Sequence, residues 1–303
     1  MFRLILRSFI LLMLLVSQVA AAQQPAANSS GTLTITTEPN AIIWIDNIRR
    51  GKTDASGNLS LSPLSRGRHT IRVRANGFIE AIANSPPSGR GNVVVKLTRT
   101  SDPVELAFQE AENLREQART EEARAQAAAA YRKVLKLRPA FPAARVGLAR
   151  VLLDLNDTKA ALAEIEAARR TRPIYPEASA VEGRIYHEAA FDDEAVKSFR
   201  RAIRESKGFQ PEARVGLARV LEEKGQYEEA ISEFRKALEQ LSDSEPVIYQ
   251  LLGALYERNQ RYKEAVEAYE KYLALAPNGS LAPAIRSVIE QLKRDAAGQE
   301  IIP

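Results

Sequence analysis

Residues 214–240 read RVGLARVLEEKGQYEEAISEFRKALEQ, and the rest of the C-terminal two-thirds of the chain repeats the plan of this stretch. A small residue, Ala218, is followed after 12 residues by Ala230 and after a further 4 by Phe234. The spacing occurs four times, and the leading small residues are separated by 34, 35 and 35 residues. A period of this length predicts a stack of similar two-helix units. The repeated positions are Ala149, Ala161 and Ile165; Gly183, Ala195 and Phe199; Ala218, Ala230 and Phe234; and Gly253, Ala265 and Tyr269.

The small residues explain how such units would pack. Two antiparallel helices approach closely only where both carry small side chains, so the leading Gly or Ala should meet the following Ala, with the aromatic residue packing towards the next unit. Pro139, Pro173 and Pro277 end three of the units. The order of small residue, alanine, aromatic and proline resembles the tetratricopeptide repeat. That resemblance implies a superhelical solenoid of α-α hairpins that binds proteins through its concave face.

The predicted solenoid covers residues 104–294. Its first unit is degenerate, because Arg115 occupies the small position. One further amphipathic helix should cap the final apolar edge, and the tail at 295–303 is expected to be disordered. The predicted units are 108–141, 142–175, 176–210, 211–245 and 246–279, followed by the capping helix at 281–294.

Residues 31–99 follow a period of two instead, with apolar residues such as Leu33 and Ile35 alternating with threonines between Gly and Asn turns. This pattern predicts a small β-sandwich. The segment resembles a PEGA domain, with Asn40 where that family usually has Gly, and it also resembles the regulatory-type sandwich of some carboxypeptidases. Both are non-catalytic sandwiches of exported bacterial proteins. The residues that carry the PEGA resemblance are Pro39, Ala41, Trp44-Ile45-Asp46, Gly51, Thr53, Gly67 to His69, and Gly77-Phe78.

Two residues of this β unit could suggest a ligand site. His69 has no second histidine or acidic cluster near it in the sequence, so we expect a structural role. Trp44 lies between two isoleucines, which favours packing, with carbohydrate stacking as the alternative. The predicted architecture is therefore multidomain and mainly α, with a small N-terminal β-sandwich followed by the helical-hairpin solenoid.

The N-terminal segment has the layout of a secretory signal peptide. Arg3 and Arg7 precede a short apolar run, and small residues at 20–22 follow it. We therefore expect a signal peptide at 1–22, a flexible linker at 23–30, and export to the periplasm or the cell exterior. An uncleaved N-terminal anchor is the alternative, and no stable transmembrane span is expected after cleavage.

Composition argues against catalysis and against nucleic-acid binding. The chain has no cysteine, and its two histidines lie in different predicted domains. No phosphate-binding loop, nucleophile elbow or zinc-ligand spacing is present. The net charge of +5 is mild and evenly spread, whereas a nucleic-acid-binding face would need a basic stripe. We therefore predict no enzyme activity, no cofactor and no metal site.

A candidate binding groove follows from the repeat register. The residue after each small position should point into the concave face, which places Arg150, Arg184 and Arg219 in a ladder. Arginine offers a two-pronged donor, so the ladder could bind a C-terminal carboxylate or an acidic peptide. The alternative is that each arginine pairs with a neighbouring carboxylate. The full set of candidate groove residues is Arg150, Arg184, His187, Arg219, Glu222 and Arg258.

The sequence thus favours a non-catalytic exported scaffold or adaptor that binds a protein or peptide through the concave groove. The alternative is a cell-envelope module whose β domain binds polysaccharide or peptidoglycan, while the repeats serve only for assembly.

Overall fold

A computed structural model describes residues 31–46, 48–62, 64, 67, 69–241 and 245–299. The predicted signal peptide at 1–22 and linker at 23–30 lie outside these residues. No helix in the described ranges combines the length and the apolar character that crossing a membrane requires.

The N-terminal part of the structure is a pair of small β-sheets. One sheet has the order β4-β1-β7, with β1 antiparallel to β4 and parallel to β7. The other has the order β3-β2-β5-β6 and is antiparallel throughout. The seven strands are β1 Leu33–Thr36, β2 Ile42–Ile45, β3 Ile48–Lys52, β4 Asn58–Leu61, β5 Thr70–Arg74, β6 Ala81–Asn84 and β7 Gly91–Val94.

The period-two residues form the core of this β region. Leu33 and Ile35 of β1 are buried in one cluster with Ile43, Ile71 and Val73 of the second sheet. Successive side chains of a strand point to opposite faces, so the apolar residue at every second position lies between the two sheets.

Two side chains fix the β2–β3 hairpin and the strand beside it. Nδ1 of His69 lies 2.5 Å from Oδ2 of Asp46, and Oδ1 of Asp46 accepts a 2.8 Å hydrogen bond from the Thr70 amide. Asp46 and Asn40 both have a positive φ, a conformation that Asn and Asp tolerate better than most residues. His69 therefore has the structural role that the sequence indicated.

The rest of the chain is helical, and its helices pack as consecutive antiparallel pairs. The first helix of every pair begins at a proline, which fits the first helical position because its missing N–H would have no partner there. The bounds are α1 Pro103–Gln117, α2 Glu121–Leu137, α3 Pro142–Asp154, α4 Thr158–Thr171, α5 Pro176–Glu188, α6 Asp192–Glu205, α7 Pro211–Glu223, α8 Tyr227–Gln240, α9 Pro246–Arg258, α10 Tyr262–Leu275 and α11 Ala282–Gln299.

The predicted fold class is confirmed: a small β region of two sheets is followed by a mainly α solenoid. The last helix, α11, packs on α10 with Ile285, Ile289 and Leu292 buried. It continues to Gln299, beyond the expected end of the capping helix at 294, into a stretch that contains the strong helix former alanine. Residues 300–303 of the expected tail lie outside the described residues.

Aromatic side chains of the second helices lock neighbouring pairs together. A Cβ added to Gly183 of α5 would lie 2.7 Å from Phe199 Cδ1, and one added to Gly216 of α7 would lie 2.4 Å from Phe199 Cζ. Phe199 thus fills the space between its own pair and the next pair. All the predicted packing positions are buried: Ala149, Ala161, Gly183, Ala195, Phe199, Ala218, Ala230, Phe234, Gly253, Ala265 and Tyr269.

Candidate functional site: the concave helical face and the β region against it

The β region lies against the first helix of the solenoid. Gln109 of α1 is buried and joins the two parts: its Oε1 accepts a 2.9 Å hydrogen bond from the Gly77 amide, and its Nε2 donates a 2.7 Å hydrogen bond to the Phe78 carbonyl. Asn113 Nδ2 also donates to Asn76 Oδ1 at 3.0 Å. The turn that follows β5 is therefore held on one face of α1.

Arginines of the β region form ion pairs with the same helix. Arg49 Nη1 lies 3.1 Å from Glu116 Oε2, and Arg74 Nη1 lies 3.4 Å from Glu112 Oε2. The Arg74 guanidinium also lies 5.2 Å from the ring centre of Phe108. The arginine side of this interface belongs to the β region and the carboxylate side to the helix.

The β2–β3 hairpin reaches much further along the solenoid. Arg50 Nη1 donates a 3.3 Å hydrogen bond to the carbonyl of Leu241, which ends α8. Ile48 packs against the hydrophobic cluster of the later repeats. Burial lowers the pKa of Arg50, and the nearby carboxylates of Glu245 and Asp46 act in the opposite direction. The β region therefore bridges the first helix of the solenoid and the turn that precedes α9.

A cavity of about 780 Å³ lies between the two parts. Its helical wall comes largely from α1 and from the beginnings of α3, α5 and α7, and its other wall is the β2–β3–β5 face. Two buried atoms of its lining residues, Glu177 Oε2 and Arg72 Nε, have no hydrogen-bond partner among the described residues. The charged lining residues are Arg49, Arg72, Arg74, Glu80, Glu105, Glu112, Arg115, Glu116, Arg150, Arg172, Glu177 and Glu212.

A buried polar network at one end of the cavity explains the atypical first repeat. Arg115 donates from Nη2 to Glu112 at 3.1 Å and from Nε to the Tyr131 hydroxyl at 3.1 Å, and the Tyr131 hydroxyl donates to Glu112. Burial alone would raise the pKa of Glu112, but Arg115, Arg74 and Tyr131 together hold it below its usual value. Arg115 at the small position therefore anchors a carboxylate that also binds the β region.

The ladder arginines differ in how they are paired. Arg150 makes a two-pronged ion pair with Glu212, with N–O distances of 2.8 and 3.0 Å. Arg184 binds Asp154 at 2.6 Å and Glu188 at 2.8 Å. Two of the three arginines are thus paired with carboxylates of the same chain, as in the alternative to ligand binding given above.

Arg219 is the exposed member of the ladder. Its side chain is exposed, and its positive charge counteracts the rise in the pKa of Glu222 that burial causes. It lies in the second half of α7, on the part of the concave face that the cavity lining does not include. Arg219 is therefore accessible to a partner.

The remaining candidates lie at the ends of the first helices. Arg258 Nη1 lies 2.5 Å from Glu222 Oε1, and burial raises the pKa of Glu222 against the opposing charge of Arg258. His187 Nε2 lies 3.6 Å from Glu223 Oε1. His187, Glu223 and Asp192 are the one group among the described residues whose possible metal ligands come within 4.8 Å of one another. We assign no metal to this group, because Glu223 is exposed and exposed acidic groups commonly lie close together without an ion.

Trp44 is only 9% exposed, and the Arg72 guanidinium lies 4.3 Å from the centre of its ring. The ring is thus packed inside the protein, with a guanidinium over one of its faces.

Sequence reasoning missed the contact between the β region and the solenoid. The one local indication of this contact was Gln109, a polar residue on the buried, otherwise apolar face of α1. The arginine pairs left no signal, because their partners lie far away in the chain.

Two segments match family profiles described as tetratricopeptide repeat, at residues 118–185 and 209–278. A search among curated proteins returned no match.

Solved structures with the same repeat fold align over most of their own length. A thermophilic TPR protein of Thermus thermophilus, TTC0263, is 22% identical with a TM-score of 0.52, covering 62% of this chain and 98% of that chain. PilF of Pseudomonas aeruginosa is 17% identical with a TM-score of 0.53, covering 64% and 87%. PilW, titled a widely conserved type IV pilus biogenesis factor, is 14% identical with a TM-score of 0.54, covering 67% and 96%. At these identities the likeness establishes the fold.

Proposed function

We propose, on the premise that the helices from α1 to α11 form a tetratricopeptide-repeat solenoid, that this protein is a non-catalytic exported scaffold that captures a partner protein on its concave face. Tetratricopeptide-repeat proteins are generally scaffolds for protein–protein interaction, and neither matching profile describes an enzyme. The observation that carries the proposal is the second half of the concave face. There Arg184 and His187 of α5 and Arg219 of α7 come from two successive first helices, and the side chain of Arg219 is exposed.

Export is the part of the proposal that rests on sequence. The charged and apolar segment at 1–22 supports secretion, and the PEGA-like pattern at 31–99 supports a protein of the bacterial periplasm or cell exterior. Cell fractionation, with the N-terminus of the recovered chain determined by mass spectrometry, tests this part. A chain that begins near residue 23 outside the cytoplasm is the expected result, and an intact N-terminus in the cytoplasm would contradict it.

A partner with acidic groups or a C-terminal carboxylate suits Arg219 directly. To use the whole ladder, it would have to replace Glu212 at Arg150, and Asp154 and Glu188 at Arg184. An exposed guanidinium can bind a carboxylate through two parallel hydrogen bonds. The polysaccharide-binding alternative receives no comparable support, because the ring of Trp44 is covered.

Site-specific photo-crosslinking in the full chain tests capture on the concave face. A photoreactive residue at position 219 should form an adduct with a discrete envelope protein, whereas the same residue at Lys197 should not. Lys197 is the matched control because it is 77% exposed on α6, a second helix of its repeat. Equal labelling of the same protein from both positions would contradict a concave binding site.

The purified partner then allows a test of the ladder. Replacing Arg150, Arg184 and Arg219 together by Ala should abolish binding. The control replaces three exposed basic residues of second helices, Lys197, Arg200 and Lys236, and removes the same charge. If both triple variants bind like the unmodified chain, the ladder is not the binding site.

A further inference from the structure

We propose that the arginine-bearing face of the β region is a built-in, displaceable occupant of the concave helical surface, and that an external protein partner takes its place with an extended segment carrying arginines. This inference rests on the proposed function, since it assumes that the concave face captures proteins. It concerns the beginnings of the first helices, not the exposed second half around Arg219.

The charges of the two walls are complementary. The helical wall of the cavity carries five glutamates against three arginines, and the β wall carries three arginines against one glutamate. Two of the β arginines, Arg49 and Arg74, are already paired with Glu116 and Glu112. The helical surface is thus a receptor for guanidinium groups, and the β region supplies them from within the chain.

The contacts that hold the β region in place are of a kind that can be exchanged. Arg49 is 42% exposed in its ion pair with Glu116, and Arg50 donates a 3.3 Å hydrogen bond to the Leu241 carbonyl. Exposed ion pairs contribute little stability each, and interfaces between domains of one chain resemble transient protein interfaces. A competing segment has to replace these polar contacts and the packing of Ile48 against the later repeats.

The β region also leaves part of the surface unfilled. The cavity of about 780 Å³ separates the two walls, and Glu177 lines it with a buried carboxylate oxygen that has no hydrogen-bond partner among the described residues. A buried acceptor of this kind favours a ligand with an N–H donor. A partner that carries one arginine more than the β region could donate a hydrogen bond to Glu177. It would therefore bind this surface more tightly than the β region does.

The chain has no cysteine, so two introduced cysteines can carry spin labels without background. Ile82→Cys on β6 and Glu267→Cys on α10 are exposed sites in the two parts. The distance distribution between the labels should be single and narrow in the unmodified background. It should shift or broaden in Arg49→Glu/Arg50→Glu, and stay unchanged in the control Arg90→Glu/Lys96→Glu, which makes the same charge change at exposed β-region positions.

A synthetic peptide of residues 46–54, DNIRRGKTD, is the probe for the vacated surface. The full chain with Arg49→Glu/Arg50→Glu should bind it about tenfold more tightly than the unmodified chain does, because a tethered competitor has been removed. The peptide DNIEEGKTD should not bind. Unchanged label distances together with unchanged peptide affinity would contradict the claim that the β region occupies this surface. Preferential binding of DNIEEGKTD would contradict the claim that the displacing partner carries arginines.

A covalent lock supplies the opposite test. Asn76 and Asn113 are in contact across the interface, so the thiols of Asn76→Cys/Asn113→Cys can be joined by a short bis-methanethiosulfonate crosslinker, which forms a mixed disulfide with each cysteine and releases a sulfinate each time. The joined chain should lose binding of DNIRRGKTD, and reduction should restore it; binding that survives the linker would refute displacement. None of these measurements needs an external protein. They can therefore succeed even if crosslinking at position 219 finds no partner, and the two proposals can fail separately.

Discussion

Phe199 shows how single residues join the repeats. Its ring packs against Gly183 in its own repeat and Gly216 in the next, and neither position has room for a Cβ. Tyr131 and Gly147 make the same contact between the first two repeats. The glycine of the following helix is therefore as important to the stack as the small residue within the repeat, although the spacing pattern marked only the latter.

Gly216→Ala should destabilise the protein. Alanine improves helix propensity by about 1 kcal/mol. Its Cβ would, however, lie 2.4 Å from Phe199 Cζ, and overpacking of a core costs roughly 1–3 kcal/mol. We expect a net loss of about 1 kcal/mol in the free energy of unfolding, measured by urea denaturation. When Gly216→Ala is combined with Phe199→Leu, the loss of stability should be smaller than the sum of the losses of the two single variants. A Gly216→Ala variant as stable as the parent would contradict the clash.

The turn between the two helices of a repeat is built the same way in four successive repeats. Asn156, Ala190, Gly225 and Gln260 occupy equivalent positions, and all four have a positive φ between 57° and 72°. This left-handed residue ends the first helix and lets the chain reverse into the second. All four residue types adopt the same left-handed backbone conformation at this position, so the turn requires it. The three residues other than glycine adopt it at a cost in conformational free energy.

Gly225→Ala isolates that cost. A Cβ at this position would meet no atom within 4 Å, so the backbone conformation is the only penalty. We expect a destabilisation of about 1 kcal/mol. The reverse change in the preceding repeat, Ala190→Gly, should stabilise by less, because glycine also adds freedom to the unfolded chain. Thermal unfolding of the two variants should show shifts of opposite sign, and shifts of the same sign would argue against the conformational explanation.

At the scale of the whole molecule, the β region is placed across the solenoid by polar side chains. Gln109 supplies both a donor and an acceptor to residues 77 and 78, and the arginines of the β2–β3 hairpin reach as far as the end of α8. Each part has its own hydrophobic core, and Ile48 of the β2–β3 hairpin also packs against the core of the later repeats. This arrangement covers the beginnings of the first helices, whereas Arg219 lies outside the cavity lining and is exposed.

Gln109→Ala should loosen this docking and leave the solenoid folded. The change leaves the Gly77 amide and the Phe78 carbonyl without partners, which costs about 1–3 kcal/mol for a buried group. Hydrogen exchange of the Gly77 amide should accelerate, while exchange in α7 and α8 stays the same. Gln126→Ala, at an exposed position of α2, is the control. Protection at Gly77 equal to that of the parent would show that the hydrogen bonds to Gln109 do not hold the turn.

The two kinds of structure and their order along the chain could be predicted from local periodicity: a period of two in the β region, and a repeat of about 34 residues in the helical part. The sequence also placed Arg150, Arg184 and Arg219 on successive first helices, since the repeat register sets which residue follows each small position.

The accessibility of each of these arginines depends instead on contacts between residues that are far apart in the chain. Arg150 is neutralised by Glu212, 62 residues away, and the Arg50–Leu241 contact spans 191 residues. No local pattern encodes such pairs, because they arise from the curvature of the stacked repeats and from the way the β region docks on them. The open and covered parts of the concave face are therefore properties of the folded molecule, determined by long-range charge pairing.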